Sequence, residues 1–524
     1  MTTAQSPTSR RAALYLLSLS LVALICAIHL PFPLRGDQAF FATGAIEISE
    51  GGGLYTDFWD LKQPGIFLFF AAAGTLFGFT EVGIHLFELI YWLAFSVVLL
   101  ATLGRRIKTP VLAALLPVLP IGTYYAISGS LDITQLEALA AFPIFVSMWL
   151  AYRATDSGKP FLILVGSGIA GGIAMVFKLL FVVLLVPFWL RAAVERSSQS
   201  GKSLPASLLG VAAGVGAGVL FPVGFVIGLL STWGALAISM DTFFRIPPRV
   251  VAELPGASLE RLFQNAALFM RSYGPMVLLV LAGAWFLRRS AMDRLSKYLW
   301  SWCLFGAVVI LAQRQSWWLY HFQLIAFPLA LLAVVTLDRL WTEKAAAFSS
   351  RGSRSALRLA VVVAFLALPM LLALDRPAVS LIQHRLTLDP ADRTAFQNRF
   401  SSGEYGEISE DVQFMDDPGA RQGDIYVAGD PLYYWLSGRG QATALNGWAL
   451  EFFLDDQWDE LASQLEAARP PYVFVSNRYS NLIGARGEPF AALLDLNYAL
   501  LRTSREGAWY ELVGSDAAIA NAYG

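Results

Sequence analysis

The chain has 524 residues, of which 56% are hydrophobic and only 15% charged, and its mean hydropathy is +0.55. A soluble fold could not cover its surface with that composition, so the bilayer is the solvent it suits. The net charge of −1 excludes a broad basic field for nucleic acid. Four histidines without CxxC or HExxH give no metal signature, and Cys26 and Cys303, both inside apolar runs, argue against a disulfide framework.

The first segment, "SRRAALYLLSLSLVALICAIHL", has the positive flank and apolar centre of a signal peptide. Its apolar run is as long as a span and no small-x-small cleavage site follows, which predicts an uncleaved first transmembrane helix. Next comes the polar stretch "RGDQAFFATGAIEISEGGGLYTDFWDLKQPG", residues 35–65. The apolar residues 66–79 are too few to cross a bilayer and read as an interfacial or re-entrant helix.

Stretches of spanning length recur near 12–31, 84–103, 110–127, 133–151, 160–176, 179–192, 206–230, 266–287, 298–312, 318–337 and 356–374. If 66–79 does not span, alternate connectors carry most of the Arg and Lys: Arg10, Arg11; Arg105, Arg106, Lys108; Arg153, Lys159; Arg191, Arg196, Lys202; Arg288, Arg289, Arg294, Lys297; and Arg339, Lys344, Arg351, Arg354, Arg358. The opposite connectors hold little more than Arg35, Lys62, Arg245, Arg249, Arg261 and Arg314. That segregation predicts about eleven spans and a cytoplasmic N-terminus. From about residue 376 the composition turns polar, and β-like runs ("DIYVAG", "PYVFVS", "NYALLRT", "AWYELV") alternate with a helical one, "DDQWDELASQLEAA". The expected organisation is a membrane module over 1–375, with a first external loop at about 32–83, followed by a soluble α/β domain over 376–524. An odd span count places that domain outside the cytoplasm.

This topology assigns residues 35–65 to the external loop, where acids near the membrane surface are functional candidates. The plainer role of Asp37 is to cap the amphipathic stretch "QAFFATGAIEIS". The segment "RGDQAFFATGAIEISEGGGLYTDFWDLKQPGIFLFF" resembles the first external loop of GT-C-fold glycosyltransferases related to protein O-mannosyltransferases and the lipid A aminoarabinose transferase. The matching residues are Asp37, Gly53, Tyr55, Asp57, Asp60, Lys62 and Pro64. Looser matches are "SGSLDITQLEALAAFP", "GGIAMVFKLL", "QSWWLYHFQLIAFPLALL" and "IYVAGDPLYYWLSGRGQATAL". The chain departs from the usual Asp-Glu pair with Asp37-Gln38, and from Lys-Pro-Pro with Lys62-Gln63-Pro64. Because the acid pair is typical of protein O-mannosylation, the acceptor class stays open.

The resemblance implies an inverting transfer of a sugar from a polyprenyl-phosphate donor to a lipid, glycan or protein acceptor outside the cytoplasm. It implies a multi-pass plasma-membrane enzyme with its active site facing outward. A base must take the acceptor's proton, and cations must hold the departing phosphate. Asp37 is the candidate base. Asp132 is a second candidate acid, whose counterpart in the resembled family lies close to the acceptor, with helix capping as its plainer role, and Glu137 is a weaker candidate. Lys62 and Arg314 are candidates to hold phosphate or, more plainly, to anchor at lipid head groups. His321 is a candidate donor to phosphate, and Arg245 and Arg249 form a Pro-stiffened basic loop. Tyr55, Asp57 and Asp60 complete the first-loop set. Trp317, Trp318 and Tyr320 read as an interface belt. No cofactor is expected, and a divalent metal is compatible with the chemistry but not indicated. The competing classes are a flippase for lipid-linked sugars, which predicts broken helices in two repeats where none is detectable, and a membrane-anchored binding protein that would not need Asp37.

Overall fold

The computed structural model describes residues 7–287, 292–344 and 352–513. Arg288, Arg289 and Arg351, used above in the charge argument, lie outside them. Among the described residues, ten helices are long and apolar enough to cross a membrane: Ser9–Ile28, Glu81–Arg105, Pro110–Ile127, Leu136–Ala154, Pro160–Phe177, Leu204–Thr232, Leu259–Phe286, Arg294–Ala312, Leu319–Glu343 and Leu359–Gln383. The expected span at 179–192 is a helix, Val182–Ser200, but Arg191, Glu195 and Arg196 occupy its second half. By length and composition it falls short of the other ten. The helix Gly65–Phe77 has 13 residues, at about 1.5 Å each too short to cross the hydrocarbon, as its sequence predicts.

The chain forms two compact units. The first, whose regular elements among the described residues are all helices, comprises residues 1–31, 85–224 and 257–387. In lipid the apolar faces of helices gain nothing from avoiding water, so close packing has to hold them together. Helices Pro160–Phe177 and Leu204–Thr232 show how: a Cβ at Gly168 would stand 2.1 Å from the Val215 carbonyl oxygen, and one at Gly218 2.0 Å from that of Val165. Only glycine lets these two backbones meet. At one end of the unit, Asp338 accepts from the backbone N–H groups of Lys108 and Thr109 at 3.0 and 2.9 Å, capping the helix Pro110–Ile127.

The second, mixed unit assembles from three separated segments, 32–84, 225–256 and 388–524. Its sheet contains β1 (Tyr426–Ala428), β2 (Tyr472–Ser476), β3 (Tyr498–Thr503) and β4 (Gly507–Leu512) in the order β1-β2-β4-β3. β1 and β2 run parallel, and the other two pairings are antiparallel. All four β-like runs read from the sequence are strands, and "DDQWDELASQLEAA" is the helix Asp455–Ala468. Phe474 pairs with Trp509 across β2 and β4, their ring centroids 5.0 Å apart, with Tyr433 packed on both.

The helices Asp37–Ser49 and Gly65–Phe77 belong to this unit and are joined by a cluster of Phe40, Phe41, Phe58, Phe67 and Phe70. Although the stretch within Asp37–Ser49 reads as amphipathic, every residue from Gln38 to Ala45 is buried. Gly44 explains how it packs so closely, since a Cβ there would meet the Phe58 and Phe67 rings below 3 Å.

Candidate active site

Gly36, at φ +51°, precedes the helix Asp37–Ser49 and makes no side-chain cap. The capping role suggested for Asp37 is therefore excluded: it is the first helical residue, where the helix terminus favours negative charge. Its carboxylate is held from two sides. The Trp448 indole N–H donates to Oδ1 at 2.8 Å, and the Lys62 ammonium stands 3.8 Å from the same oxygen. Lys62 also reaches Asp60 Oδ2 at 3.4 Å and lies over the Phe40 and Phe41 rings at 5.6 and 5.2 Å. One cation thus serves two carboxylates. Burial pushes the Asp60 carboxyl above the ordinary aspartate range; the Lys62 ammonium opposes this, and the Asp37 charge adds to it.

The other first-loop matches support this arrangement rather than join it. The Tyr55 hydroxyl, buried at φ +74°, donates to the Lys62 carbonyl at 2.7 Å and fixes the backbone that carries the lysine. Asp57 accepts from Gly53 N–H at 2.8 Å and from the Thr56 hydroxyl at 3.0 Å, closing the turn of the glycine run.

Residues at the start of this helix take partners from the C-terminal segment. Arg35 pairs with Glu404, and Asp37 accepts from Trp448. Further along, Trp59 N–H donates to the Ala444 carbonyl at 2.9 Å, while Asn446 donates to the Trp59 carbonyl at 2.7 Å. Arg245 and Arg249 engage other carboxylates. Arg245 pairs with Asp241 at 2.9 Å, and Arg249 forks onto Asp456 at 2.9 and 3.2 Å while also meeting Glu253. Both are exposed, and their carboxylate partners already satisfy much of their charge.

In the helical unit the candidate residues sort into two neighbourhoods. Glu137, fully buried on the first turn of the segment Leu136–Ala154, accepts from Lys178 at 2.9 Å and stands 3.8 Å from His321 Nε2. Lys178 also donates to the Gln313 side chain. Asp132 lies on the loop between Pro110–Ile127 and Leu136–Ala154 and lines a cavity with Ser128, Phe269, Tyr273, Tyr320 and Gln323. Gln323 bonds the Asp132 carbonyl at 2.9 Å and the Ser128 hydroxyl at 3.2 Å. The Arg314 carbonyl accepts from Ala257 N–H at 2.9 Å, tying its turn to the start of the earlier helix Leu259–Phe286.

The Asp132 loop is itself anchored by a residue that the sequence reading passed over. Glu88, buried within Glu81–Arg105, accepts from Trp92 Nε1 at 3.0 Å, the Tyr124 hydroxyl at 2.9 Å and the Thr134 hydroxyl at 2.8 Å. Tyr124 in turn accepts from Thr134 N–H at 2.7 Å, so Thr134 is held at φ +53°. An acid inside an apolar span was the available signal for Glu88. Trp448 gave none, because nothing local in "NGWALEFF" points to a carboxylate 411 residues away. Among the described residues no group of three His, Cys, Asp or Glu side chains is placed to hold a metal ion.

No protein-family model matches the chain, and no curated protein matches it by sequence. Two solved structures are similar to it. ArnT from Cupriavidus metallidurans bound to undecaprenyl phosphate is 13% identical, with a TM-score of 0.57 over 97% of this chain and 99% of that one. The same protein in the apo state is 13% identical, with a TM-score of 0.58 over 96% and 99%. Near-complete coverage of both chains makes the likeness one of whole folds. The polytopic GT-C-type architecture expected from the first loop is the one observed.

Proposed function

We propose that this protein is an integral-membrane inverting glycosyltransferase that moves a sugar from a polyprenyl-phosphate donor to an acceptor outside the cytoplasm. The observation that carries the reading is the Asp37–Lys62–Asp60 group at the head of a buried helix, in a fold shared with a protein solved bound to undecaprenyl phosphate. In the proposed reaction the acceptor hydroxyl attacks the anomeric carbon as its proton passes to Asp37. The carbon–oxygen bond to phosphate breaks, and the polyprenyl phosphate leaves with the electron pair. Negative charge grows on that phosphate during the step, and Lys62 is the cation assigned to it. Support for this assignment comes from the Lys62 backbone, which Tyr55 fixes, and from its charge, which two acids share.

Asp132 keeps the acceptor-side role that the resemblance implies, and Arg314 and His321 keep the phosphate-side roles proposed from their position in the sequence. Glu137 fits better as the buried partner of Lys178. Arg245 and Arg249 remain candidates for closing over the donor, at the expense of their present ion pairs. The test compares envelope glycans and lipids by mass spectrometry in a deletion strain complemented with wild type or with Asp37→Asn. The variant is expected to accumulate normally, bind undecaprenyl phosphate, and leave the same sugar modification missing as the deletion does. Full complementation by Asp37→Asn would favour the transport or scaffold classes and end this reading.

A further inference from the structure

We infer that Trp448 is a positioning residue for the base, and that the C-terminal segment thereby forms part of the catalytic centre rather than an appended recognition domain. The inference rests on the assignment of Asp37 above. The indole N–H meets Asp37 Oδ1 at 2.8 Å, and Lys62 approaches that same oxygen. Oδ2 is therefore the oxygen left to take the acceptor's proton, and the bond to Oδ1 fixes the direction in which it points. Such a bond to a charged acceptor is stronger than one between neutral groups and has a defined angle.

The segment that carries Trp448 is built to hold it still. Trp448 N–H donates to Asn446 Oδ1 at 2.9 Å, and Asn446 Nδ2 donates to the Trp59 carbonyl at 2.7 Å, so the same asparagine grips both segments. Gly447 lies against β1, where a Cβ would fall 2.0 Å from the Val427 carbonyl oxygen, so no other residue permits this approach. Ala449, at φ +63°, turns the chain back, and its N–H donates to the Tyr479 hydroxyl at 3.0 Å. The Arg478 guanidinium lies 5.3 Å from the Trp448 ring centre and is itself fixed to Glu451 at 3.1 Å. The indole is thus clamped through its backbone and its face, and its one donor points at the candidate base. A tryptophan needed only for packing would not require this alignment.

The neighbouring contacts separate positioning from simple attachment. Arg35–Glu404 before the helix and the Trp59 N–H to Ala444 carbonyl bond after it already tie the loop to the segment. Removing the Trp448 donor therefore leaves the loop attached and frees only the carboxylate. The experiment uses the full-length protein in lipid nanodiscs, with membrane lipid extract from the deletion strain as the source of donor and acceptor. Product formation is followed by mass spectrometry, and undecaprenyl phosphate binding is measured by calorimetry. Trp448→Phe keeps an aromatic ring, though a smaller one, and loses the donor. It is expected to form product about 10–100-fold more slowly, the cost of one hydrogen bond to a charged group, with binding changed less than twofold. Trp448→His, which retains an N–H on a smaller ring, is expected to recover part of the rate.

Wild-type turnover in Trp448→Phe, while Asp37→Asn is inactive, would overturn the role of Trp448 and leave that of Asp37 standing. Equal losses of binding and rate in both Trp448 variants would also overturn it, because that is the signature of a merely structural residue. Activity in Asp37→Asn would instead remove the reading on which the inference depends.

Discussion

Replacing Glu88 tests how the Asp132 loop is held. The carboxylate accepts three hydrogen bonds of 2.8–3.0 Å in a site with no exposed surface. Glu88→Ala leaves the donors of Trp92, Tyr124 and Thr134 without their acceptor and opens a void. At about 1–3 kcal/mol per orphaned buried group, relieved in part by rotation of the two hydroxyls, the expected loss is about 3–5 kcal/mol. Glu88→Gln is the informative contrast. Its amide oxygen can replace Oε1, which serves both Trp92 and Tyr124, while its NH2 group replaces Oε2 and donates to a Thr134 hydroxyl that has turned round. All three contacts survive, so the loss should stay below about 1 kcal/mol. Thermal unfolding of the purified full-length protein, read by tryptophan fluorescence at fixed detergent and lipid, ranks the variants. The expected order is wild type, then Gln slightly lower, then Ala roughly 5–10 °C lower. Equal destabilisation by Gln and Ala would refute the reasoning, because the site would then depend on the charge and not on the geometry of acceptance.

Two further outcomes follow from the same kind of argument. Lys178→Ala should destabilise the helical unit by about 3–5 kcal/mol by leaving the buried Glu137 without its cation, and Lys178→Ala combined with Glu137→Gln should recover most of it; failure of the double variant to recover would mean that Lys178 matters for packing alone. In the mixed unit, burial raises the Asp430 carboxyl to about 6, with the Glu404 charge adding to this and the Leu432 N–H, Arg35 and the Gly36 N–H opposing it. A raised folded value means that the stabilising contribution is present in full below the ordinary value near 4 and is lost as pH rises through 6. Melting temperatures between pH 4 and 7 should therefore decline with pH in the wild type relative to Asp430→Asn, by up to about 3 kcal/mol of stability; parallel curves would remove Asp430 as the cause.

Much of this fold was legible because the signals were local and long. Runs of about twenty apolar residues, the shortness of 66–79 and the alternating strands near the C-terminus each reflect a periodicity or length that one segment carries alone. Val182–Ser200 marks the limit of that reading, since its apolar start continues into a charged half within a single helix. In the candidate site, Asp37, Asp60 and Lys62 were named from one short stretch and do come together. The capping role for Asp37 failed because glycine at positive φ starts the helix one residue earlier. Trp448 was out of reach because the contact joins residues 411 apart, and single-segment patterns carry no information about such pairings. Lys178 with Glu137 and Gln313 belongs to the same class.

The discontinuous make-up of the mixed unit sets a schedule for biosynthesis. Segment 32–84 is made early, but its partners in 388–524 follow only after roughly 300 further residues. At about 5–20 residues per second the first loop waits roughly 15–60 s for them. Through that interval Arg35, Asp37 and Trp59 lack the groups that satisfy them in the finished protein. Contacts of such long sequence separation also form slowly once both halves exist. A nascent chain stalled anywhere before Trp448 would thus present a first loop without these partners. The proposed base therefore meets its indole donor only after the chain has been made as far as Trp448.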